Sequence, residues 1–157
     1  MDNVGNGMQK INISGKYVLF KINRNEYGID IDKIVSIEKV ASITRVPSVP
    51  NYIKGIINLR GDIIPVIDLR VPFEIEESED TDDTRIIVMK TEYGDVGFKV
   101  DSVSEVVTLT ENEIEDVGNI NEDLKMEYIL GIGKIGESVI TLFDIEKLLS
   151  QEERLLK

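Results

Sequence analysis

Thirty carboxylates and eighteen Lys or Arg side chains make up the chemical inventory of this chain of 157 residues, which has no Cys, no His and no Trp. Thiolate nucleophiles, Cys/His zinc sites, disulfides, imidazole acid-base work and every triad that needs His fall away at once. An enzyme built on this chain would have only Asp, Glu, Lys, Tyr, Ser and Thr. The densest acids run from Glu74 to Asp83, seven in ten residues. Paired carboxylates cleave glycosides only when a fold fixes their separation, and nothing in this run sets one. Counted from Asp80 as a calcium loop, the run has Arg85 at the sixth position and Thr91 at the twelfth, where such a loop needs Gly and a bidentate Glu. It reads as a solvated hinge loop.

Two other patterns could carry chemistry. Gly131-Ile132-Gly133-Lys134-Ile135-Gly136 has the spacing of a dinucleotide loop. That mechanism needs the glycines between a strand and a helix N-terminus, whereas strand-like Ser138-Val139-Ile140-Thr141-Leu142 follows directly. No phosphate-loop Gly-Lys-Ser/Thr exists either, so no catalytic residue, metal ligand or cofactor is assigned. Arg60 lies in Leu59-Arg60-Gly61-Asp62, at a turn with a Gly able to take positive φ. A guanidinium presented there can clamp a partner's carboxylate, or it can pair with Asp62 or Asp68 in its own barrel. Both readings stay open on these residues.

The elements that must position these residues are mostly strands. Lys16–Ile22 and Tyr27–Asp30 flank turn chemistry at Asn23–Glu26; Ile53–Leu59 and Ile63–Leu69 flank Arg60-Gly61-Asp62. Pro65 in the latter pair argues for an edge or a bulge. From Ile31 to Val40 helical spacing mixes with alternation, which reads as one helical turn entering a strand. Thr110-Glu111-Asn112-Glu113 resembles a capping box, and the chain from Phe143 onward reads as a terminal amphipathic helix.

An internal repeat organises these pieces. A shift of 69 sets Gly28-Ile29-Asp30 on Gly97-Phe98-Lys99, with Ile34 on Val103 and Ile37 on Val106. A shift of 76 sets Tyr52-Ile53-Lys54-Gly55-Ile56 on Tyr128-Ile129-Leu130-Gly131-Ile132, and Arg60 on Gly136. The expected architecture is therefore mostly β: two small five-stranded barrels from a duplication, sharing a core, with a C-terminal helix. The expected boundaries are a flexible tail over 1–14 and one domain over 15–152. Within that domain come barrel 1 at 15–73, the acidic hinge at 74–84, barrel 2 at 85–142 and the helix at 143–156. Exchange of strands between the copies is compatible with the pattern.

The net charge is −12. Such a chain repels phosphate backbones and anionic lipid, so neither nucleic acid nor a membrane surface is an expected partner. Residues 1–70 hold ten cations against seven acids and residues 71–157 eight against twenty-three, so the two halves are expected to face different electrostatic partners, or the same partner from opposite sides. No signal peptide is readable at the N-terminus and no apolar run is long enough to span a bilayer. A cytoplasmic protein is expected, which makes the Asn12-Ile13-Ser14 sequon a chance match.

The run from Val46 to Arg70, VPSVPNYIKGIINLRGDIIPVIDLR, closely resembles the signature of the CheW family of bacterial chemotaxis coupling proteins. Glu26–Ile31 and Ile145–Leu149 look like its flanking pieces, so the resemblance covers nearly all of Tyr17 to Leu149. The family's domain also occurs in the kinase CheA and in CheV, each with further domains for which this chain has no room. The resemblance implies two five-stranded SH3-like β-barrels. It also implies a non-catalytic scaffold that links methyl-accepting chemotaxis receptor tips to the CheA regulatory domain, without a stable homo-oligomer, recruited to membrane receptor arrays. By the same resemblance, receptor binding falls to Arg60 and Asn58 of the Asn-Leu-Arg-Gly turn and to Ile34 and Val35. Relatives often carry Glu where Ser36 stands, and Glu38, two residues on and on the same strand face, is the expected substitute. No kinase-binding residue is assigned. The rival readings are a CheW-like adaptor for a non-chemotaxis kinase pathway and a carboxylate-based enzyme.

Overall fold

The computed structural model describes residues 15–40, 43–49, 53–69, 76, 79–115 and 129–149. β1 (Gly15–Ile22) and β2 (Asn25–Asp30) form a hairpin with the two-residue turn Asn23–Arg24. Asp30 caps a 3-10 turn at Ile31–Lys33 by accepting from the Asp32 N–H at 2.9 Å, and the chain then enters β3 (Ile34–Lys39). This is the helical turn entering a strand that the mixed periodicity predicts. β4 (Ile53–Leu59) and β5 (Asp62–Asp68) make the second hairpin, and β6 (Arg85–Thr91) and β7 (Gly94–Val100) the third. β8 (Ser102–Leu109) runs into the capping box at Thr110, which opens only a 3-10 turn, Glu111–Glu113, before the short β9 (Ile114–Glu115). β10 (Ile129–Ile135) and β11 (Ser138–Phe143) form the fourth hairpin.

Residues 145–149 are helical. Asp144 starts this helix by accepting from the N–H groups of Glu146 and Lys147, at 2.9 and 3.2 Å. The rest of the predicted helix, the tail 1–14 and residues 74, 75, 77 and 78 of the acidic hinge lie outside the described residues.

The strands assemble into a six-stranded sheet in the order β8-β1-β2-β11-β10-β9 and a five-stranded sheet in the order β3-β6-β7-β5-β4. Neither sheet belongs to one half of the chain. The first hairpin, β1–β2, is inserted among the strands of the second copy, and its counterpart, β6–β7, among those of the first. The boundaries read from the repeat, 15–73 and 85–142, are therefore not the boundaries of the sheets. The exchange is reciprocal: β1–β8 and β6–β3 are equivalent antiparallel ladders, while β2–β11 and β7–β5 are equivalent parallel ones. Each parallel ladder passes beside a glycine. A Cβ added at Gly28 would meet Leu142, and one at Gly97 would meet Ile86, each at 2.8 Å.

By hydrogen bonding the sheets are open rather than closed barrels. The chain itself completes each ring, because the residue after the turn that follows β3 bridges to β4 (Thr44 with Ile56), as β9, after β8, pairs with β10. The Ile56 N–H and C=O are both bonded to Thr44, at 2.8 Å each. Pro65, opposite Ile56, is thus in a non-hydrogen-bonded pair with β4, and β7 joins β5 only from Val66 onward. Of the two readings of Pro65, an edge or a bulge, the edge is corrected: Pro65 sits in an interior strand at a point where no ladder asks for its missing N–H, and the β4–β5 ladder does carry a bulge, between Ile53 and Gly55.

The exchange explains the unbroken apolar runs. β1 and β6 are buried on both faces, so they do not alternate as half-exposed strands do. Tyr17 and Leu19 pack with Leu109, Ile140 and Leu142 inside the first sheet, and Ile86 and Val88 pack with Ile57, Ile64 and Val66 inside the second. The intervening residues, Phe20 and Ile22 of β1 and Ile87 and Met89 of β6, meet in the larger core between the sheets, which Leu148 and Leu149 help to cover. Charge also follows the exchange. The strands of the first sheet carry three cations and four anions and those of the second five and four, so the charge asymmetry between chain halves is not an asymmetry between sheets.

Candidate functional site

Arg60 and Gly61 form the two-residue tip of the β4–β5 hairpin, at φ 54° and 91° between the paired Leu59 and Asp62. Positive φ at both positions is the type I′ geometry whose twist suits a tight hairpin. Asn58 braces the tip, its Oδ1 accepting from the Gly61 N–H at 3.0 Å. Glycine is at ease in this region; a side chain is not, at a cost of about 1 kcal/mol. The second copy has Gly136 at the equivalent position, with φ 58°. The first copy thus keeps an exposed arginine where its duplicate has relaxed to glycine. Among the described residues no carboxylate or carbonyl holds the guanidinium. Asp68, one of the two intrabarrel partners considered for it, is buried and lies 3.4 Å from Lys54 Nζ.

β3 carries the second group. Ile34 lies opposite Met89, but Ser36 lies opposite Val88, so Val35 is the extra residue of a bulge. The bulge resets the alternation. Ile34 and, three residues on, Ile37 (opposite Ile87) both face the core between the sheets, while Ser36 and Glu38 face the interior of the second sheet, opposite Val88 and Ile86. Ile34 is packed against that core and half-buried; Val35 and Ile37 are 45% and 43% exposed. Ser36 Oγ is buried without a hydrogen-bond partner among the described residues. Glu38 shares the face of Ser36 and is directed away from Ile34 and Ile37.

Asn58 and Arg60 are therefore brought together at one tip, and Ile34, Val35 and Glu38 on one strand, with the two groups on the outermost strands of the same sheet. Two exposed apolar residues extend the picture. Ile37 continues the row Phe98–Ile87 beyond the edge of the shared core, and Val106, 51% exposed, continues the equivalent row Ile29–Val18. β8 carries the same bulge, between Val103 and Val106. The signal for both was the three-residue spacing, Ile34 to Ile37 and Val103 to Val106, which on a strand marks an inserted residue.

Of the side chains left open to a protein without His and Cys, two described phenols are shifted. Burial, and secondarily the charge of Asp30, raises the Tyr17 phenol above its ordinary range; burial raises Tyr27, partly opposed by its hydrogen bond with Asn25. Both shifts lead away from a reactive phenolate. The described residues gather no group of three or more metal-binding side chains. No helix among them is long and apolar enough to cross a membrane.

A duplicated, hairpin-exchanged β scaffold that presents apolar edges and an arginine with no partner among the described residues defines a binding module. The profile of the CheW-like domain matches residues 16–153. The chain is 40% identical over 144 residues to chemotaxis protein CheW of Klebsiella aerogenes, covering 92% of this chain and 87% of that protein. It is 39% identical over 147 residues to CheW of Bacillus subtilis, covering 94% and 84%. The crystal structure of scaffolding protein TtCheW from Thermoanaerobacter tengcongensis superposes with a TM-score of 0.79 at 36% identity, covering 87% of this chain and 93% of that one. The chain belongs to the CheW family, a chemotaxis adaptor family, and is a scaffold rather than an enzyme.

Proposed function

We propose that this protein couples the cytoplasmic tips of methyl-accepting chemotaxis receptors to the regulatory domain of the kinase CheA, as a cytoplasmic protein recruited to receptor arrays. The observation that carries this reading is Arg60: a non-glycine residue in left-handed backbone, exposed and without a partner among the described residues, where the duplicate has glycine. Strain of this kind persists where the side chain has work to do outside the fold. The apolar part of the receptor surface is Val35 and Ile37 on β3 with Val106 at the equivalent place on β8. A receptor tip is a helical hairpin, and an apolar strip with a charged anchor suits an amphipathic helix. Ile34 supports the strip from below, Asn58 holds the Arg60 turn, and Glu38 serves on the opposite face of β3. The test is titration of the purified chain with a receptor-tip fragment and, separately, with a CheA regulatory domain. Saturable binding to both is expected; binding to the kinase domain alone points to an adaptor of another kinase pathway, and binding to neither ends the reading.

A further inference from the structure

We propose that two copies of this chain join by exchanging whole halves, the β1–β5 half of one molecule completing both sheets with the β6–β11 half of the other. This partner is a second copy, specified by the ladders and independent of the chemotaxis reading. Four ladders hold the halves to each other: β1–β8, β2–β11, β3–β6 and β5–β7. All four are non-covalent, and the chain crosses from one half to the other only once, between β5 and β6. The described residues of that crossing belong to no ladder, so the observed pairing does not distinguish a half supplied by the same chain from one supplied by another.

A separated half also has strong reason to find a complement. β1 presents Tyr17 and Leu19 on one face and Phe20 and Ile22 on the other, and all four are buried only because the second half supplies Leu109, Ile140, Leu142 and the β6–β7 side of the shared core. β6 is in the same position toward the first half through Ile86, Val88, Ile87 and Met89. Neither half can satisfy its central strands alone. The tether gives its own half an effective concentration of about millimolar, the usual range for short connections, so the monomer prevails in dilute native solution. The exchanged dimer forms when chains refold together near that concentration.

The absence of cysteine allows a direct test. Lys16 and Thr108 are exposed and lie opposite each other in the β1–β8 ladder. Full-length Lys16→Cys and Thr108→Cys chains are mixed in denaturant, refolded together near millimolar concentration and oxidised. The expected product is a folded dimer linked from position 16 of one chain to position 108 of the other, well beyond the random share set by 16–16 and 108–108 dimers. The double variant, diluted, closes the same bond within one chain and shows that the geometry permits it. The unsubstituted chain refolded over a concentration series should show a growing dimer of native circular dichroism by light scattering. Monomer alone at every refolding concentration overturns the proposal, as does a random distribution of disulfides when the double variant closes normally.

Discussion

Replacing Arg60 by glycine separates anchoring from folding. At φ 54° the arginine holds a conformation that costs about 1 kcal/mol in a residue with a Cβ, and glycine removes that cost. Glycine also frees the unfolded chain, which offsets about 0.5–1 kcal/mol of the gain. Arg60→Gly should therefore leave stability between unchanged and about 0.5 kcal/mol higher, a rise of at most ~1–2 °C in Tm for a chain of this length. The side chain has no partner among the described residues, so no internal ion pair is lost. Receptor binding should behave differently: loss of a charge-assisted contact weakens it by about 1–3 kcal/mol, roughly five- to 150-fold in Kd. Arg60→Ala should match the glycine variant in binding without its gain in stability, and Arg60→Glu should bind worse than either. Gly136→Ala, which places a Cβ at φ 58°, should lose about 1 kcal/mol of stability and keep receptor affinity per folded molecule. Thermal melts and calorimetric titrations on these four variants decide the matter. A clear drop in Tm for Arg60→Gly with receptor affinity unchanged would refute the reasoning, because it would make the arginine a structural brace.

Ile37→Asp and Val106→Asp, at exposed edges of the shared core, should each weaken receptor binding about tenfold or more while Tm moves by only a few degrees; equal loss of both properties would count against a surface role. Ser36→Ala removes a buried hydroxyl that has no partner and should stabilise by about 1 kcal/mol in denaturant unfolding. Gly55→Ala should be strongly destabilising, by about 2 kcal/mol or more, because a Cβ there would overlap the carbonyl oxygen of Thr44 at the bridge that completes the second ring. The raised phenols of Tyr17 and Tyr27 set the alkaline limit: each is fully favourable to folding below the ordinary tyrosine value of 10.0 and is lost as pH climbs through the higher folded value. Stability should therefore fall above pH 10.0, and Tyr17→Phe should flatten that fall; a stability curve insensitive to base in the parent chain would contradict the burial of these hydroxyls.

Much of the architecture was legible in the sequence because the duplication writes it twice. The offsets of 69 and 76 align β2 with β7, β3 with β8 and the β4–β5 hairpin with β10–β11, and the turn residues mark where each hairpin reverses. What the offsets could not carry was the partnership of strands. A repeat reports that β1 and β6 are alike, and exchanging them changes no residue and no spacing; only three-dimensional pairing decides it. The runs Tyr17–Phe20 and Ile86–Met89 carried a trace of that answer, since strands apolar on both faces need a covering layer on each side. The site was legible in parts for a similar reason. Arg60 stood out against Gly136, but the bulge at Val35 hid Ile37: with strict alternation Ile37 would fall on the face opposite Ile34, and the extra residue restores it to the face of Ile34. Pro65 misled because the edge rule speaks of a missing N–H, and the local ladder happened not to require one.

The near balance of charge along the strands separates two properties that most small proteins must tune together. With the ladders close to neutral, the surplus of acid lies outside the strands. Colloidal behaviour and the long-range field felt by an approaching partner can drift over evolutionary time by editing loops, while the short-range fit of β3, β8 and the Arg60 turn stays constant. Ionic strength should accordingly alter how fast partners meet this protein far more than how long they remain.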